Sequence, residues 1–215
     1  MDWLVDGLTT SRKAWHLVGN QTVLAPVYAP GSTAPVVFNA DQWDGYQADQ
    51  ARLLAAMDEA PVADAVVLTG DIHSSWANDL PRDPAAYAAG GASAGVEMVC
   101  PSVTSNGFKE VLGSAAAAAR TTAAFQARNP WVRHLEGIGH GYAVLDVTPE
   151  RVQVDFHYIR SGGDKGLVVD PRLDPAATTA HESSWQAVRG ARRITGPVAE
   201  LGPRGDEPRR AAPRR

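Results

Sequence analysis

A chain of 215 residues with 44% hydrophobic content is long enough to bury one sizeable core, which makes it one domain or a large part of one. Its formal charge of -4 comes from 20 basic and 24 acidic residues mixed along most of the length, a balance that leaves no footprint for DNA or RNA. The single cysteine, Cys100, excludes an internal disulfide and a thiolate zinc cage, and no apolar run approaches the roughly 20 residues that span a bilayer.

Trp3, Leu4 and Leu8 form an apolar stripe at helical spacing, with Asp2 placed to cap it. The helix begins almost at the first residue, without a basic and apolar leader, and the abrupt start is read as a loss of preceding sequence. Residues 14–21 read as a strand, and Pro26, Pro30, Gly31, Ser32 and Pro35 mark the next segment as a loop. Residues 46–59 fit an amphipathic helix with Leu53, Leu54 and Met57 inward, ended by Pro61 and leading into the apolar run Val66-Val67-Leu68. Helix followed by buried strand is the pattern of an α/β protein.

Farther along, Val96-Glu97-Met98-Val99-Cys100 is extended, and residues 114–126, rich in alanine, are helical. Residues 142–147 and 152–159 make a hairpin around Thr148-Pro149-Glu150-Arg151. In its second arm Val152, Val154, Phe156 and Tyr158 alternate with Gln153, Asp155 and His157, so that one face packs inward and the other is polar. Residues 175–188 read as a last helix. Residues 196–215, dominated by proline, glycine, arginine and acidic side chains, offer too little apolar surface to offset their ordering entropy and read as a disordered tail after a domain at 1–195.

The chemistry concentrates at Gly70-Asp71-Ile72-His73, just past the apolar run at 64–69. Open α/β sheets bind ligands at the carboxyl ends of their strands. Asp71 offers a hard anionic oxygen for calcium, magnesium or ferric iron, and His73 a nitrogen for iron, zinc or manganese. The plainer alternative makes Asp71 a helix cap and His73 a satisfied loop residue.

Other segments allow two readings each. Asp41-Gln42-Trp43-Asp44-Gly45-Tyr46 is either a substrate mouth or a helix cap with packing aromatics. The stretch from Pro101 to Phe108 either binds phosphate or a cation through Asn106 and its hydroxyl neighbours, or turns on Asn106-Gly107 with positive φ. His140, within Gly137-Ile138-Gly139-His140-Gly141-Tyr142, is either a ligand or proton donor, or incidental. His16, His134, His157 and His181 share no ligand spacing and are treated as structural or exposed. No nucleophile elbow, P-loop or dinucleotide fingerprint occurs.

Taken in order, Trp3-Leu4 through Asn20-Gln21, the Asp41 to Tyr46 loop, Leu68-Thr69-Gly70-Asp71-Ile72-His73-Ser74-Ser75-Trp76, Pro101 to Phe108, and Gly139-His140-Gly141-Tyr142 resemble the alkaline phosphatase D (PhoD-like) family. The resemblance implies a secreted metallophosphoesterase, extracellular or periplasmic, that cleaves phosphomonoesters and phosphodiesters with a metal-bound hydroxide. It also implies Ca2+ and Fe3+ cofactors and a four-layer α/β/β/α sandwich. Asp71 would then be a calcium ligand and His73 an iron ligand, together forming the catalytic pair, while Asn106 and His140 would lie in loops facing substrate. The family's remaining ligands and its phosphate-holding arginine belong to an amino-terminal half that these residues do not contain, and Cys100 does not correspond to the family's iron-binding cysteine. The expectation is therefore a carboxyl-terminal portion, inactive alone, with a shortened noncatalytic binding domain as the alternative.

Overall fold

The computed structural model describes residues 1–32, 34–60, 64–160 and 174–202. Five strands form one sheet in the order β1-β2-β4-β3-β5: β1 (Trp15–Gly19), β2 (Asp64–Thr69), β3 (Ser75–Pro81), β4 (Ser93–Val99) and β5 (Val132–Glu136). Four more, β6 (Gly141–Val147), β7 (Arg151–Arg160), β8 (Thr178–Val188) and β9 (Ile194–Val198), form an antiparallel sheet in sequential order. In the first sheet β1, β2 and β4 run parallel, and β3 is antiparallel to β4 and β5.

Alternation along the strands builds two cores. Ala65 and Val67 of β2 and Trp76 and Leu80 of β3 pack with helix residues, including Leu53, Leu54 and Met57 of α2 (Gln47–Glu59) and Phe125 of α5 (Ala115–Arg128). The neighbouring residues Val66 and Ala77, with Val96 and Met98, pack instead against Val152, Val154 and Phe156 of the second sheet. A strand buried on both faces reads as a continuous apolar run, which is why β2 stood out in the sequence. The helix α1 (Asp2–Thr10) and the short α3 (Pro84–Tyr87) and α4 (Phe108–Leu112) complete the described helices.

Among the described residues the layers are helices, sheet and sheet; a second helical layer is not among them. The segment expected as the last helix is strand β8, paired on both sides. Its Thr178, Thr179 and Trp185 favour extended backbone, and Ala187 is buried between the sheets. Strand β3 went unread because Ser75, Asn78 and Asp79 look like loop residues, yet every residue in it is buried. Partners explain this: Tyr158 Oη donates to Ser75 at 2.7 Å, Asn78 donates to Glu97 at 3.1 Å, and Tyr87 donates to Asp79.

The segment expected as a disordered tail starts inside β9, which Ile194 anchors at 2% exposure. Beyond it Ala199 O accepts from Gln153 Nε2 at 3.0 Å and Leu201 N donates to Asp155 at 3.1 Å. The polar face of β7 is thus buried too, and it captures the chain through hydrogen bonds that an apolar count does not register. Residues 203–215 lie outside the described residues, as does Pro61.

Strands β2 and β4 stay paired to their last residues, with Cys100 N donating to Thr69 O at 2.8 Å. The loops that carry Asp71 and Asn106 therefore leave the sheet side by side.

Candidate functional site

After β2 ends, Asp71 and His73 both adopt left-handed backbone, with φ of 70° and 57°. Aspartate and histidine enter this region more readily than most side chains, yet each such residue costs on the order of 1 kcal/mol. The turn is closed by Ile72 N donating to Gly70 O at 2.9 Å and runs into β3, so Asp71 caps no helix. Its exposed carboxylate accepts no hydrogen bond among the described residues.

His73 Nδ1 lies 2.9 Å from the carbonyl oxygen of Asn106. A carbonyl only accepts, so Nδ1 carries the proton and the lone pair is left on Nε2. This is how a ligating histidine is commonly oriented, with the far ring nitrogen held by a carbonyl or carboxylate.

The peptide that holds His73 is itself held. Its other end, the Gly107 N–H, donates to Glu110 Oε2 at 2.9 Å, and that oxygen lies 3.4 Å from His140 Nε2. His140 Nδ1 is 3.1 Å from Ser102 Oγ. Burial pushes the Glu110 carboxyl upward, but the Gly107 N–H and the His140 pairing outweigh it and hold Glu110 below the usual range. Gly107 has φ of -99°, so the expected positive-φ turn is absent. Glycine is needed there for closeness, because a Cβ would sit 2.8 Å from His73 O. Glu110 was not singled out from the sequence, although its spacing three residues after the Gly107 cap is that of a capping box.

Of the two residues expected to face substrate, Asn106 is exposed and lines a cleft of about 290 Å³ together with Asp71, whereas His140 does not line it. His140 is 6% exposed with both ring nitrogens engaged. Asp44, in the aromatic loop, is buried and accepts from Val27 N at 2.8 Å and from Gln50 at 3.2 Å, an anchoring duty. Burial pushes its carboxyl upward in pKa. In the same loop Trp43 Nε1 donates to Asn20 at 3.0 Å, and Tyr46 is exposed. Cys100 borders an apolar space between the sheets with Leu68 and Met98, and burial raises its thiol pKa, as befits a small apolar residue.

Among the described residues no three His, Cys, Asp or Glu side chains are grouped to hold a metal. Asp71, with unengaged hard oxygens, and His73, with Nε2 free for coordination, fit a pair of unlike cations as two donors of a larger set.

Residues 1–156 match the PhoD-like phosphatase family. Alkaline phosphatase D of Bacillus subtilis (strain 168) is 28% identical over 170 residues, which cover 79% of this chain and 27% of that protein. A solved structure of PhoD shares the fold, with a TM-score of 0.71 at 23% identity over 95% of this chain and 35% of its own. The chain thus spans about a third or less of the length of these relatives.

Proposed function

The chain belongs to the PhoD-like phosphatase family, and from that premise we propose that it forms the carboxyl-terminal part of a metal-dependent hydrolase of phosphate esters, to which it contributes Asp71 and His73. The observation that carries this reading is the His73 ring fixed by the Asn106 carbonyl two residues after the unengaged carboxylate of Asp71, both residues in left-handed backbone past the end of a parallel strand.

In this reading Asp71 would hold calcium through its anionic oxygens and His73 would hold ferric iron through Nε2. Bound there, the cations would supply charge neutralisation for the phosphate oxygens and a more acidic water for hydrolysis of the ester. Asn106 donates its side-chain amide to a phosphate oxygen. His140, held by Ser102 and paired with Glu110, acts one step back by fixing the Asn106–Gly107 peptide that orients His73. The parent enzyme works outside the cytoplasm, in the extracellular or periplasmic space, and its amino-terminal half completes the cage. Two donors do not hold coordination geometry against bulk water, so the chain alone is inactive.

The test is a graft. The purified chain with calcium and ferric iron is expected to leave p-nitrophenyl phosphate and its bis ester intact. Substituted for the matching portion of the Bacillus subtilis relative, it is expected to restore turnover that falls at least about a hundredfold on Asp71→Ala or His73→Ala, the loss typical of a removed transition-state stabiliser. Restored turnover indifferent to both changes would sink the reading.

A further inference from the structure

The loop that delivers His140 hangs on a carboxylate that the proposed chemistry leaves unused. Glu136, the last residue of β5, is half-buried and pairs across the sheet with Ser75, the first residue of β3. Its Oε1 accepts from Ile138 N and its Oε2 from Gly139 N, both at 2.7 Å. A carboxylate that takes up the N–H groups two and three residues ahead winds the backbone into a tight turn.

That turn supports the peptide that orients His73. Gly137 O accepts from Lys109 N at 3.1 Å, next to the Glu110 that holds Gly107 N. Past the turn, His140 O accepts from Ile159 N at 2.8 Å and Gly141 N donates to Ser102 O at 3.0 Å, which fixes the backbone from which the His140 ring meets Glu110. The turn has no slack, because a Cβ at Gly139 would stand 2.5 Å from the Tyr158 ring and one at Gly137 2.8 Å from Phe108.

The same carboxylate bears on the other support of His73. Tyr158 Oη donates to Ser75 Oγ at 2.7 Å and so pins the start of β3, two residues past His73. Burial and the nearby Glu136 charge push this hydroxyl upward in pKa, and it keeps its proton.

We propose that Glu136 is a positioning residue for His73, acting through the 137–139 turn on one side and through Tyr158 and Ser75 on the other. The assignment rests on the reading of His73 as a donor to metal and deepens it, since a carboxylate on another strand then decides which ring nitrogen is offered. Without it the turn relaxes, the 2.9 Å contact between His73 Nδ1 and Asn106 O is lost, and the proton moves to Nε2, the atom that must carry the lone pair.

Nitrogen NMR of the 215-residue chain at about pH 8, where an ordinary histidine is neutral, reads the His73 tautomer with neither metal nor substrate present. The unaltered chain is expected to show the Nδ1–H form. Glu136→Gln sets an amide N–H2 against one of the two backbone donors and is expected to raise the Nε2–H population about tenfold, the worth of one hydrogen bond to the ring. Asp79→Asn, at a fully buried carboxylate toward the opposite end of β3, is expected to lower the melting temperature and leave the tautomer in place. Where Glu136→Gln does not fold, Tyr158→Phe carries the test with a shift in the same direction, because it keeps the ring against Gly139 and removes only the hydroxyl on Ser75. An unmoved tautomer in the variant that folds, or an equal shift in Asp79→Asn, would overturn the assignment.

In the graft onto the Bacillus subtilis relative, Glu136→Gln is expected to lower kcat at least about tenfold with KM within about twofold, as for other groups that orient a ligating histidine. Turnover that needs His73 but ignores Glu136→Gln also overturns it. A moved tautomer together with turnover indifferent to His73→Ala upholds the positioning of the ring and removes only the phosphatase reading.

Discussion

An interior carboxylate and an interior imidazole, Glu97 and His134, stand under conditions opposite to those of Asp71 and His73. Glu97 is fully buried on β4, and its oxygens accept from Leu24 N at 2.7 Å, Ala25 N at 3.0 Å, Thr69 Oγ1 at 2.7 Å and Asn78 Nδ2 at 3.1 Å. His134 on β5 is sandwiched between Trp185 and Phe156, at 5.0 and 5.5 Å between centroids. Asp71 and His73, in contrast, leave the end of β2 with an unengaged carboxylate and one ring nitrogen free for coordination. The same residue types therefore serve architecture where partners or rings enclose them, and become candidates for chemistry where the backbone is held in a costly conformation and valences stay open.

The largest expected effect tests the interior carboxylate. Burial raises the Glu97 pKa while four donors oppose the rise, so the side chain is an acceptor hub for the 20–27 loop and β3. Glu97→Gln places an amide N–H2 against one pair of those donors, and the variant is expected to lose about 3 kcal/mol in urea denaturation. A loss under about 0.5 kcal/mol, the range of an ordinary surface change, would dissolve the contrast.

The interior imidazole gives a pH signature of similar size. Burial lowers the His134 pKa from 6.5 to about 4, so folding favours the neutral ring. Its contribution is fully present above pH 6.5 and is lost as pH falls toward 4, up to about 3 kcal/mol in all. His134→Phe is expected to flatten the acid limb of the stability profile between those values, measured by thermal melts at stepped pH. A limb that keeps its slope would show that another group sets it.

What could be read from the sequence follows the same divide. The stretches 46–59, 64–69 and 142–159 were legible because periodicity survives when apolar residues do the packing. Strand β3 and the β9 segment were not, because their stability comes from hydrogen bonds between residues distant in sequence, such as Asn78 with Glu97 and Leu201 with Asp155. At the candidate site, Asp71, His73 and Asn106 are proposed from their place after strands. Glu110 and the retreat of His140 behind it depend on the path of one peptide plane, which no spacing specifies.

The smallest expected effect bears most directly on the strand-end pair. If Asp71 contributes nothing to the fold beyond its backbone strain, then Asp71→Gly, which enters left-handed conformation freely, should leave stability unchanged or raise it by up to about 1 kcal/mol. Asp71→Ala, with a side chain but no tolerance for φ of 70°, should lower it by about the same amount. Melting curves of the two variants side by side read this directly, since both lose the carboxylate and differ only in backbone freedom. Equal destabilisation by both would mean the carboxylate itself holds the fold, as Glu97 does, and Asp71 would then belong with the architecture rather than with the proposed chemistry.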